Sequence, residues 1–280
     1  MKIVIATPLY PPDIGGPATY SKVLAAELPK HGFEVLVISF GRVRHWPKVV
    51  RHLLYFFLVL KGAVGADIVF AQDPVSVGLP TMIAAKILRK KFFLKVVGDY
   101  AWEQYELKGP FITPEDFQNQ KFDRLTELRR RVEKLVSRQA DKIIVPSKYL
   151  KGIVSNWLPD PAKIQVVYNS FEPIRLDLDR ESVKARLNLT SSRVLTTAGR
   201  LVPWKGILNL IELVPELLKF YPNLRFFILG DGPERQKLTE KISKLNLNGV
   251  VSLIGQVDKT TLGNYLLASD LFILNTTYEG

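Results

Sequence analysis

Short apolar runs, each followed by a stretch with helical spacing of apolar residues, repeat along the whole chain. They cover residues 2–7, 34–39, 67–71, 92–97, 142–146 and 164–168, and then 194–198, 224–229, 250–254 and 271–274. Near-continuous apolar runs that alternate with helices are typical of buried parallel strands. A region without a strand pattern, residues 169–190, separates the two series. The sequence therefore predicts an α/β protein with two doubly wound parallel sheets, in domains 1–171 and 172–280.

Composition excludes several kinds of site and marks the first domain as cationic. The 280 residues include no cysteine, which excludes disulfides, thiolate metal sites and a cysteine nucleophile. The three histidines, His31, His45 and His52, are too scattered to predict a zinc site. Residues 1–171 hold 25 Lys and Arg against 15 Asp and Glu, whereas residues 172–280 hold 14 against 12. We expect the first domain to face an acidic partner, such as nucleic acid, an anionic membrane or a phosphorylated substrate.

The segment 42–61 combines basic residues with a long apolar stretch. As a helix it would place cations beside aromatic residues, which is the pattern of a helix in a membrane interface. The cations are Arg44, Lys48 and Arg51, and the aromatic residues are Trp46, Phe56 and Phe57. A core helix with one cationic end has the same pattern. The most apolar run, residues 53–60, is shorter than the ~20 residues of a membrane span, and the first residues predict a strand rather than a signal peptide. We expect a cytoplasmic protein, at the inner face of the cell membrane.

The stretch 194–206, VLTTAGRLVPWKG, places two cations between a strand and a helix. The strand pattern breaks at Gly199, Arg200 and Lys205 follow five residues apart, and apolar residues at helical spacing begin after Gly206. Open α/β sheets bind ligands at the carboxyl ends of their strands, where helix N-termini attract anions. Two cations at that edge predict a clamp for a diphosphate. A solvated loop with two surface cations is the alternative.

Other loops at strand ends carry residues suited to ligand binding. Gly15 and Gly16 precede a helix pattern, so backbone N–H groups there would approach an anion without obstruction by side chains. Asp99 follows the run 92–97, where a carboxylate suits a catalytic site or caps the next turn. The turn 230–232 lacks the full GxGxxG pattern and the later acidic residue, which argues against a dinucleotide-dependent oxidoreductase.

Four segments together resemble the retaining glycosyltransferases of family 4: PPDIGGPATY at 11–20, AGRLVPWKG at 198–206, GDGPE at 230–234 and TTYEG at 276–280. The segments ADKIIVPS at 140–147 and VVYNS at 166–170 are similar to the same family. The resemblance implies the GT-B fold, in which two Rossmann-like domains face each other across a cleft. The second domain then binds a nucleotide-diphosphate sugar, and the first binds most of the acceptor.

The resemblance also implies how the donor is held. Arg200 and Lys205 would hold its diphosphate, and Gly15 and Gly16 would approach it from the other domain. Fixed cations and a helix dipole would stabilise the leaving diphosphate without a metal. In retaining enzymes of this kind the departing phosphate is thought to help deprotonate the acceptor, so no dedicated protein base is needed.

Further positions match the family or depart from it. Glu279 is similar to the first glutamate of the E-x7-E motif, which contacts the donor sugar or ribose, so we expect it to be catalytic as well as donor-binding, and Gly280 follows it in the donor site. The loop of Val257 resembles the one that touches the nucleobase. Many members carry a histidine where this chain has Gly98 and Asp99, and Asp99 is expected to take over its catalytic contact with the sugar. The family continues past this point with a second glutamate, so we expect the C-terminal domain to be incomplete.

Together these observations predict a retaining glycosyltransferase of class EC 2.4. It would move a hexosyl or N-acetylhexosaminyl group from a UDP- or GDP-linked donor to a lipid-linked or cell-surface glycan precursor, as in polysaccharide biosynthesis. We expect no metal, no separate cofactor and no nucleic-acid partner. Alternatives with the same fold are an inverting transferase or epimerase, for which Asp99 is the candidate base, and a non-catalytic binding protein. A nucleic-acid-binding protein that uses the basic helix 124–138 is the remaining alternative.

Overall fold

The computed structural model describes residues 1–170, 173–174 and 176–279. The chain divides into two compact units. The first comprises Met1–Tyr105 and Phe111–Asn169, and the second comprises Glu106–Pro110 and Ser170–Glu279. The boundary predicted between residues 171 and 172 falls on two residues outside the described part of the chain.

The first unit is built on a six-stranded sheet in the order β2-β1-β3-β4-β5-β6. Its strands are β1 (Lys2–Thr7), β2 (Glu34–Ser39), β3 (Ile68–Ala71), β4 (Lys91–Lys95), β5 (Lys142–Val145) and β6 (Ile164–Val166). Its helices are α1 (Gly16–Glu27), α2 (Lys48–Ala63), α3 (Gly78–Ile87), α4 (Tyr100–Glu106), α5 (Pro114–Asn119), α6 (Arg124–Gln139) and α7 (Lys148–Ser155). All neighbouring strands run parallel, so the predicted doubly wound α/β architecture is confirmed here.

The strand order decides which face of the first sheet each helix covers. The chain leaves β1 towards β2 at one edge and then proceeds through β3 to β6 in the other direction. Because crossovers between parallel strands are right-handed, α1 covers one face, and α2, α3 and α6 cover the other. Ile5 of β1 and Phe70 of β3 pack with Tyr20 and Leu24 of α1. On the opposite face α2 packs against α3, and α3 contacts α6.

The second unit contains a four-stranded parallel sheet in the order β10-β7-β8-β9. Its strands are β7 (Arg193–Ala198), β8 (Leu224–Leu229), β9 (Val251–Gly255) and β10 (Leu271–Phe272), and its helices are α8 (Arg180–Arg186), α9 (Ile207–Phe220), α10 (Arg235–Lys244) and α11 (Lys259–Ala268). Phe226 and Ile228 of β8 enter one apolar core, whereas Phe227 and Leu229 enter another. Because helices cover both faces, the strand is apolar throughout.

Two stretches without a helix pattern in the sequence contain short helices. Helix α5 lies in the polar region that follows residue 102, and the hydroxyl oxygen of Thr113 caps it by accepting from the Asp116 N–H at 3.1 Å. Helix α8 lies in the region 169–190 with Asp179 as its cap. Phe117 of α5 and Val183 of α8 are buried. Such short segments bury too few side chains to show helical periodicity, so the sequence did not predict them.

The segment expected to lie in a membrane interface forms α2 and the turn before it. Helix α2 buries Tyr55, Val59 and Ala63 and exposes other apolar side chains. Among the described residues, no helix combines the length and the apolar character that crossing a membrane requires.

Candidate functional site

Three loops of the second unit meet at the carboxyl edge of its sheet. The loop after β7 is joined to the loop after β8, because Leu201 N–H donates to the Asp231 carbonyl at 3.0 Å and Glu234 N–H donates to the Leu201 carbonyl at 3.1 Å. It is joined to the segment after β10, because Thr277 N–H donates to the Trp204 carbonyl at 2.9 Å. Three segments with separate sequence motifs thus form one surface.

Glycine allows these loops to approach so closely. Gly230 has φ +128°, and a Cβ atom there would lie 1.9 Å from the Gly199 carbonyl oxygen. Gly206 has φ +59°, and its Cβ would lie 2.5 Å from backbone and side-chain atoms of Asn275. The Asn275 side chain donates to the Gly206 carbonyl at 3.0 Å, which holds the segment after β10 beside the start of α9. The backbone of this site is therefore fixed before any ligand contact is considered.

Arg200 and Lys205 lie on the loop that leads into α9. Arg200 is exposed, and no ion pair within the described residues involves it. Lys205 is half-buried and forms an ion pair with Glu279. Trp204 lies between them in the sequence, and its buried side chain anchors the loop. The structure thus brings together Lys205 and Glu279, two predicted donor contacts that are 74 residues apart in the chain.

The other donor residues predicted in this unit are Val257 and Gly280. Val257 follows β9 and is half-buried, and it packs against the core formed by Val194, Phe227 and their neighbours. Gly280 lies outside the described residues. The predicted contact of the Val257 loop with a nucleobase stays a prediction.

Gly15 and Gly16 begin α1 of the first unit. Gly15 is the N-cap, and its carbonyl accepts from the Thr19 N–H at 3.0 Å. A Cβ at Gly15 would lie 2.9 Å from Leu9, whereas one at Gly16 would meet nothing within 4 Å. The first turn of this helix carries no acidic side chain, so it retains the positive end of the helix dipole. Helix α1 has twelve residues, enough for such a dipole to develop.

Asp99 is buried at the start of α4. Its carboxylate accepts from the Trp102 N–H at 2.9 Å and from the Gln118 side-chain amide at 2.7 Å. Burial raises the pKa of this carboxyl above its usual value. These are the capping contacts that the sequence left open as an alternative, and a catalytic role for Asp99 stays a prediction. Glu133 of α6 lies beside it, accepting from the Tyr100 N–H at 2.7 Å.

Lys95, a buried cation at the end of β4, was not among the predicted site residues. Its side chain is in the interior of the first unit, with 2% of the residue exposed. The Nζ atom lies 3.0 Å from the centroid of the Tyr20 ring and donates to Asn169 Oδ1 at 2.9 Å. Burial lowers the pKa of Lys95 to about 8. The available signal was a lysine inside the apolar run FFLKVV, which an alternating strand explains equally well.

Carboxylates and histidines do not gather into a metal centre in the described part of the chain. No group of three His, Cys, Asp or Glu side chains there has the arrangement of a metal site.

Two models of protein families match this chain. Residues 14–175 match the model described as Glycosyltransferase Family 4, and residues 179–280 match the model described as Glycosyl transferases group 1. The first match alone covers more than half of the chain. The chain belongs to glycosyltransferase family 4. The resemblance inferred from its motifs is thereby confirmed.

Several proteins are similar to this glycosyltransferase over part or all of its length. Alpha-monoglucosyldiacylglycerol synthase of Streptococcus pneumoniae is 22% identical over 311 residues, which cover 100% of this chain and 67% of that protein. A phosphatidylinositol N-acetylglucosaminyltransferase component of Arabidopsis thaliana is 30% identical over 121 residues, 42% of this chain and 26% of that protein. An uncharacterized glycosyltransferase of Methanocaldococcus jannaschii is 34% identical over 145 residues, 50% of this chain and 35% of that protein. The match spans about a third of the last two proteins or less.

Solved structures share its fold. Sucrose-phosphate synthase from Thermosynechococcus elongatus has a TM-score of 0.74 at 17% identity, with 99% of this chain and 76% of that chain covered. Anabaena HepE in complex with UDP-glucose has a TM-score of 0.70 at 18% identity, with 99% and 74% covered. The protein thus has the two parallel-sheet α/β domains of the GT-B glycosyltransferases.

Proposed function

We propose that this member of glycosyltransferase family 4 transfers a sugar, with retention of its anomeric configuration, from a nucleotide-diphosphate sugar to a lipid-linked or cell-surface glycan precursor. The observation that carries the proposal is one cationic loop at the start of α9. Arg200 and Lys205 lie on it, and Glu279 contacts Lys205.

The chemistry of the reaction matches this loop. Cleavage of the sugar–phosphate bond puts negative charge on the leaving diphosphate, and fixed cations stabilise that charge as it develops. Arg200 offers a planar fork of N–H donors for two phosphate oxygens. Lys205 supplies a second charge, and the 14-residue helix α9 adds the positive end of its dipole. Because these groups supply the charge that a metal ion otherwise supplies, we propose a metal-independent reaction.

The donor is proposed to be a UDP- or GDP-linked hexose or N-acetylhexosamine. Structures of the similar Anabaena HepE contain UDP and UDP-glucose, which supports a uridine donor. Glu279 would contact the sugar or the ribose once a diphosphate has taken Lys205. Val257, two residues beyond β9 in the same unit, would lie near the base.

The acceptor is proposed to be carried by a membrane at its inner face. Two similar proteins bear names that refer to lipids, diacylglycerol in one and phosphatidylinositol in the other. The excess of Lys and Arg over Asp and Glu in residues 1–171 supports an acceptor with phosphate groups or an anionic surface.

Calorimetric titration tests the donor site. UDP, GDP, ADP and their sugar conjugates are titrated into the wild type, Arg200→Ala and Lys205→Ala, with and without EDTA. We expect micromolar binding of one nucleotide, unchanged by EDTA and weakened at least about tenfold in each variant, since hydrogen bonds to charged groups contribute ~1.5–3 kcal/mol. The product anomer, determined by NMR after transfer, tests retention.

Arg193→Ala is the matched control for Arg200→Ala. Arg193 is exposed and begins β7, and the loop of Arg200 follows the other end of this strand. Arg193→Ala therefore removes the same charge at the opposite end of the same strand. Its titration should match the wild type. Equal weakening in both arginine variants would reduce the proposed site to general attraction of anions, and a wild type that binds no nucleotide would refute the donor site.

A further inference from the structure

A cavity lies between α5 and α7 of the first unit. Its volume is about 410 Å³, within the range of roughly 300–1,000 Å³ that is typical of small-molecule sites. Both helices contribute polar side chains to its walls, and these are Glu115, Gln118 and Asn119 from α5 and Lys148, Tyr149 and Asn156 from α7 and its C-terminal end. The cavity is built by one unit alone and shares no residue with the proposed donor site.

The described lining of this cavity carries no net formal charge. Glu115 is its one acidic residue and Lys148 its one basic residue, whereas residues 1–171 as a whole have more Lys and Arg than Asp and Glu. An anionic ligand would lie beside the Glu115 carboxylate, and a cationic ligand beside the Lys148 ammonium. Because the two opposite charges offset each other, attraction to either kind of ion is weak. The cavity therefore favours an uncharged polar ligand.

Gln118 is held in place by three hydrogen bonds. Its side-chain amide donates to Asp99 Oδ2 at 2.7 Å and to the Pro114 carbonyl at 3.2 Å, and its Oε1 accepts from Trp157 Nε1 at 3.0 Å. This part of the lining is therefore ordered before a ligand binds, which lowers the entropy cost of binding. The contact with Asp99, which follows β4, also connects the cavity to the carboxyl edge of the first sheet.

Tyr149 provides an aromatic surface in the cavity. Its hydroxyl donates to the Glu115 carboxylate, which joins α7 to α5, and burial followed by this hydrogen bond raises the pKa of Tyr149 above its usual value. The residue is 41% exposed, so part of its ring remains available to a ligand. The C–H groups on one face of a sugar ring can pack against the electron-rich face of such a ring.

Two further side chains supply hydrogen-bonding groups. Within the described part of the chain, neither the Lys148 ammonium nor the Asn156 side-chain amide forms a hydrogen bond or an ion pair. The ammonium donates, and the amide both donates and accepts. Sugar hydroxyls also donate and accept, so these groups can pair with them.

We propose that this cavity binds one uncharged sugar unit of a glycan, with the sugar ring against Tyr149 and its hydroxyls bonded to Asn156 and Lys148. The site rests on the proposed function for its purpose, which is to hold the acceptor glycan at a point away from its reacting end. A polar peptide could make similar hydrogen bonds, but peptides bind mainly along sheet edges or in apolar grooves. This cavity lies between two helices, and Ile153 alone among its described lining residues is aliphatic.

Saturation-transfer NMR followed by titration tests the site with four uncharged disaccharides: maltose, cellobiose, lactose and N,N′-diacetylchitobiose. The wild type should bind at least one of them with a Kd of about 1 mM. High salt should leave this affinity unchanged, because an uncharged ligand makes no ion pair that salt could screen. Tyr149→Ala should weaken binding by about threefold to tenfold through loss of the aromatic contact.

Gly152 allows the cavity to be filled by substitution. It lies on α7 in the lining, and a Cβ there would meet nothing within 4 Å. Gly152→Phe should therefore place its ring in the cavity and weaken binding at least about tenfold. Gly152→Ala, which adds one methyl group, should bind within about twofold of the wild type. If Gly152→Phe does not fold, Asn156→Ala decides instead, with an expected weakening of about twofold to tenfold.

Tyr221→Ala is the matched control for Tyr149→Ala. Tyr221 is 49% exposed directly after α9 of the second unit, so the same change is made at similar exposure away from the cavity, and it should bind disaccharides as the wild type does. Three results would overturn the proposal: a wild type that binds none of the four disaccharides, equal binding by Gly152→Phe and Gly152→Ala, or tighter binding of the peptide acetyl-Asn-Gln-Ser-amide than of every disaccharide.

UDP titration of the same samples separates this site from the donor site. Absent disaccharide binding with intact UDP binding refutes the glycan site alone, whereas absent UDP binding with intact disaccharide binding refutes the donor site alone. Loss of disaccharide binding in Arg200→Ala would assign the sugar to the donor loop and would also overturn the proposal.

Discussion

Replacement of Gly230 by alanine tests the close contact between the loops after β7 and β8. Gly230 has φ +128°, and its N–H donates to the Gly255 carbonyl at 2.7 Å. An added Cβ would lie 1.9 Å from the Gly199 oxygen and 2.9 Å from the Gly199 carbonyl carbon. The contacting atoms are backbone, so relief requires that the two loops move apart by more than about 1 Å to reach ordinary contact distance.

The expected cost has two parts. Forcing extra volume into a packed site costs about 1–3 kcal/mol, and a non-glycine residue in this backbone region costs about 1–3 kcal/mol. We therefore expect Gly230→Ala to lower the free energy of unfolding of the second unit by about 2–6 kcal/mol. For a unit of this size each kcal/mol lowers Tm by about 4 °C, which gives a fall of roughly 8–24 °C. Displacement of Gly199 should also move Arg200 and weaken nucleotide binding.

Scanning calorimetry measures this effect, with Gly249→Ala as the control. Gly249 has φ +82° in the same unit, but a Cβ there would meet nothing within 4 Å. Only the cost of the left-handed backbone conformation remains, about 1–2 kcal/mol. The calorimetric transition that this control shifts slightly is the unfolding of the second unit. Gly230→Ala should melt below Gly249→Ala by the packing cost of about 1–3 kcal/mol, roughly 4–12 °C, and equal Tm values for the two variants would refute the close contact of the loops.

Two further predictions concern buried charged groups of the first unit. Burial lowers the pKa of Lys95 to about 8, so between about pH 8 and 10.4 the unfolded chain binds more protons than the folded one. The free energy of unfolding of the wild type should therefore rise across this window relative to that of Lys95→Met, by at most about 1.4 kcal/mol per pH unit. Urea unfolding at several pH values measures this rise. A difference between the two proteins that does not change with pH would contradict the burial of the charge. Asp99→Asn should lower the free energy of unfolding by about 1–3 kcal/mol, because its amide would face the donor of Gln118. A fall in kcat of more than about 100-fold with unchanged Tm would instead identify Asp99 as a catalytic acid or base.

The strands could be predicted well because both faces of each sheet are covered. β1 and β8 begin and end where the apolar runs do, at Lys2–Thr7 and Leu224–Leu229. Helix α5 could not be predicted, because its six residues depend on a cap at Thr113 and on contacts between aromatic rings that show no helical periodicity in the sequence. Phe117 lies 4.5 Å from Phe122 and 5.8 Å from Tyr105, measured between ring centroids. Such contacts are tertiary and leave no local pattern.

The site was predictable as far as its loops were. The position of Arg200 and Lys205 between a strand and a helix follows from the sequence 194–206, and the structure has both on that loop. The pairing of Lys205 with Glu279 depends on the strand order β10-β7-β8, in which the last strand returns beside the first of its unit. Lys95 escaped prediction for the same reason, since its partners Tyr20 and Asn169 come from distant parts of the chain.

The ion pair between Lys205 and Glu279 has a consequence for how a diphosphate would bind. A phosphate that takes Lys205 displaces a carboxylate of the chain itself and not a mobile anion from solution. Fewer bulk ions are then released on binding, so nucleotide affinity should depend less on salt than two cations would suggest. The exchange also couples two events in time: Glu279 Oε1, the oxygen that pairs with Lys205, is free to accept hydrogen bonds from sugar hydroxyls only after the diphosphate is in place. Binding of the diphosphate part of the donor would thus release the carboxylate oxygen that contacts its sugar part.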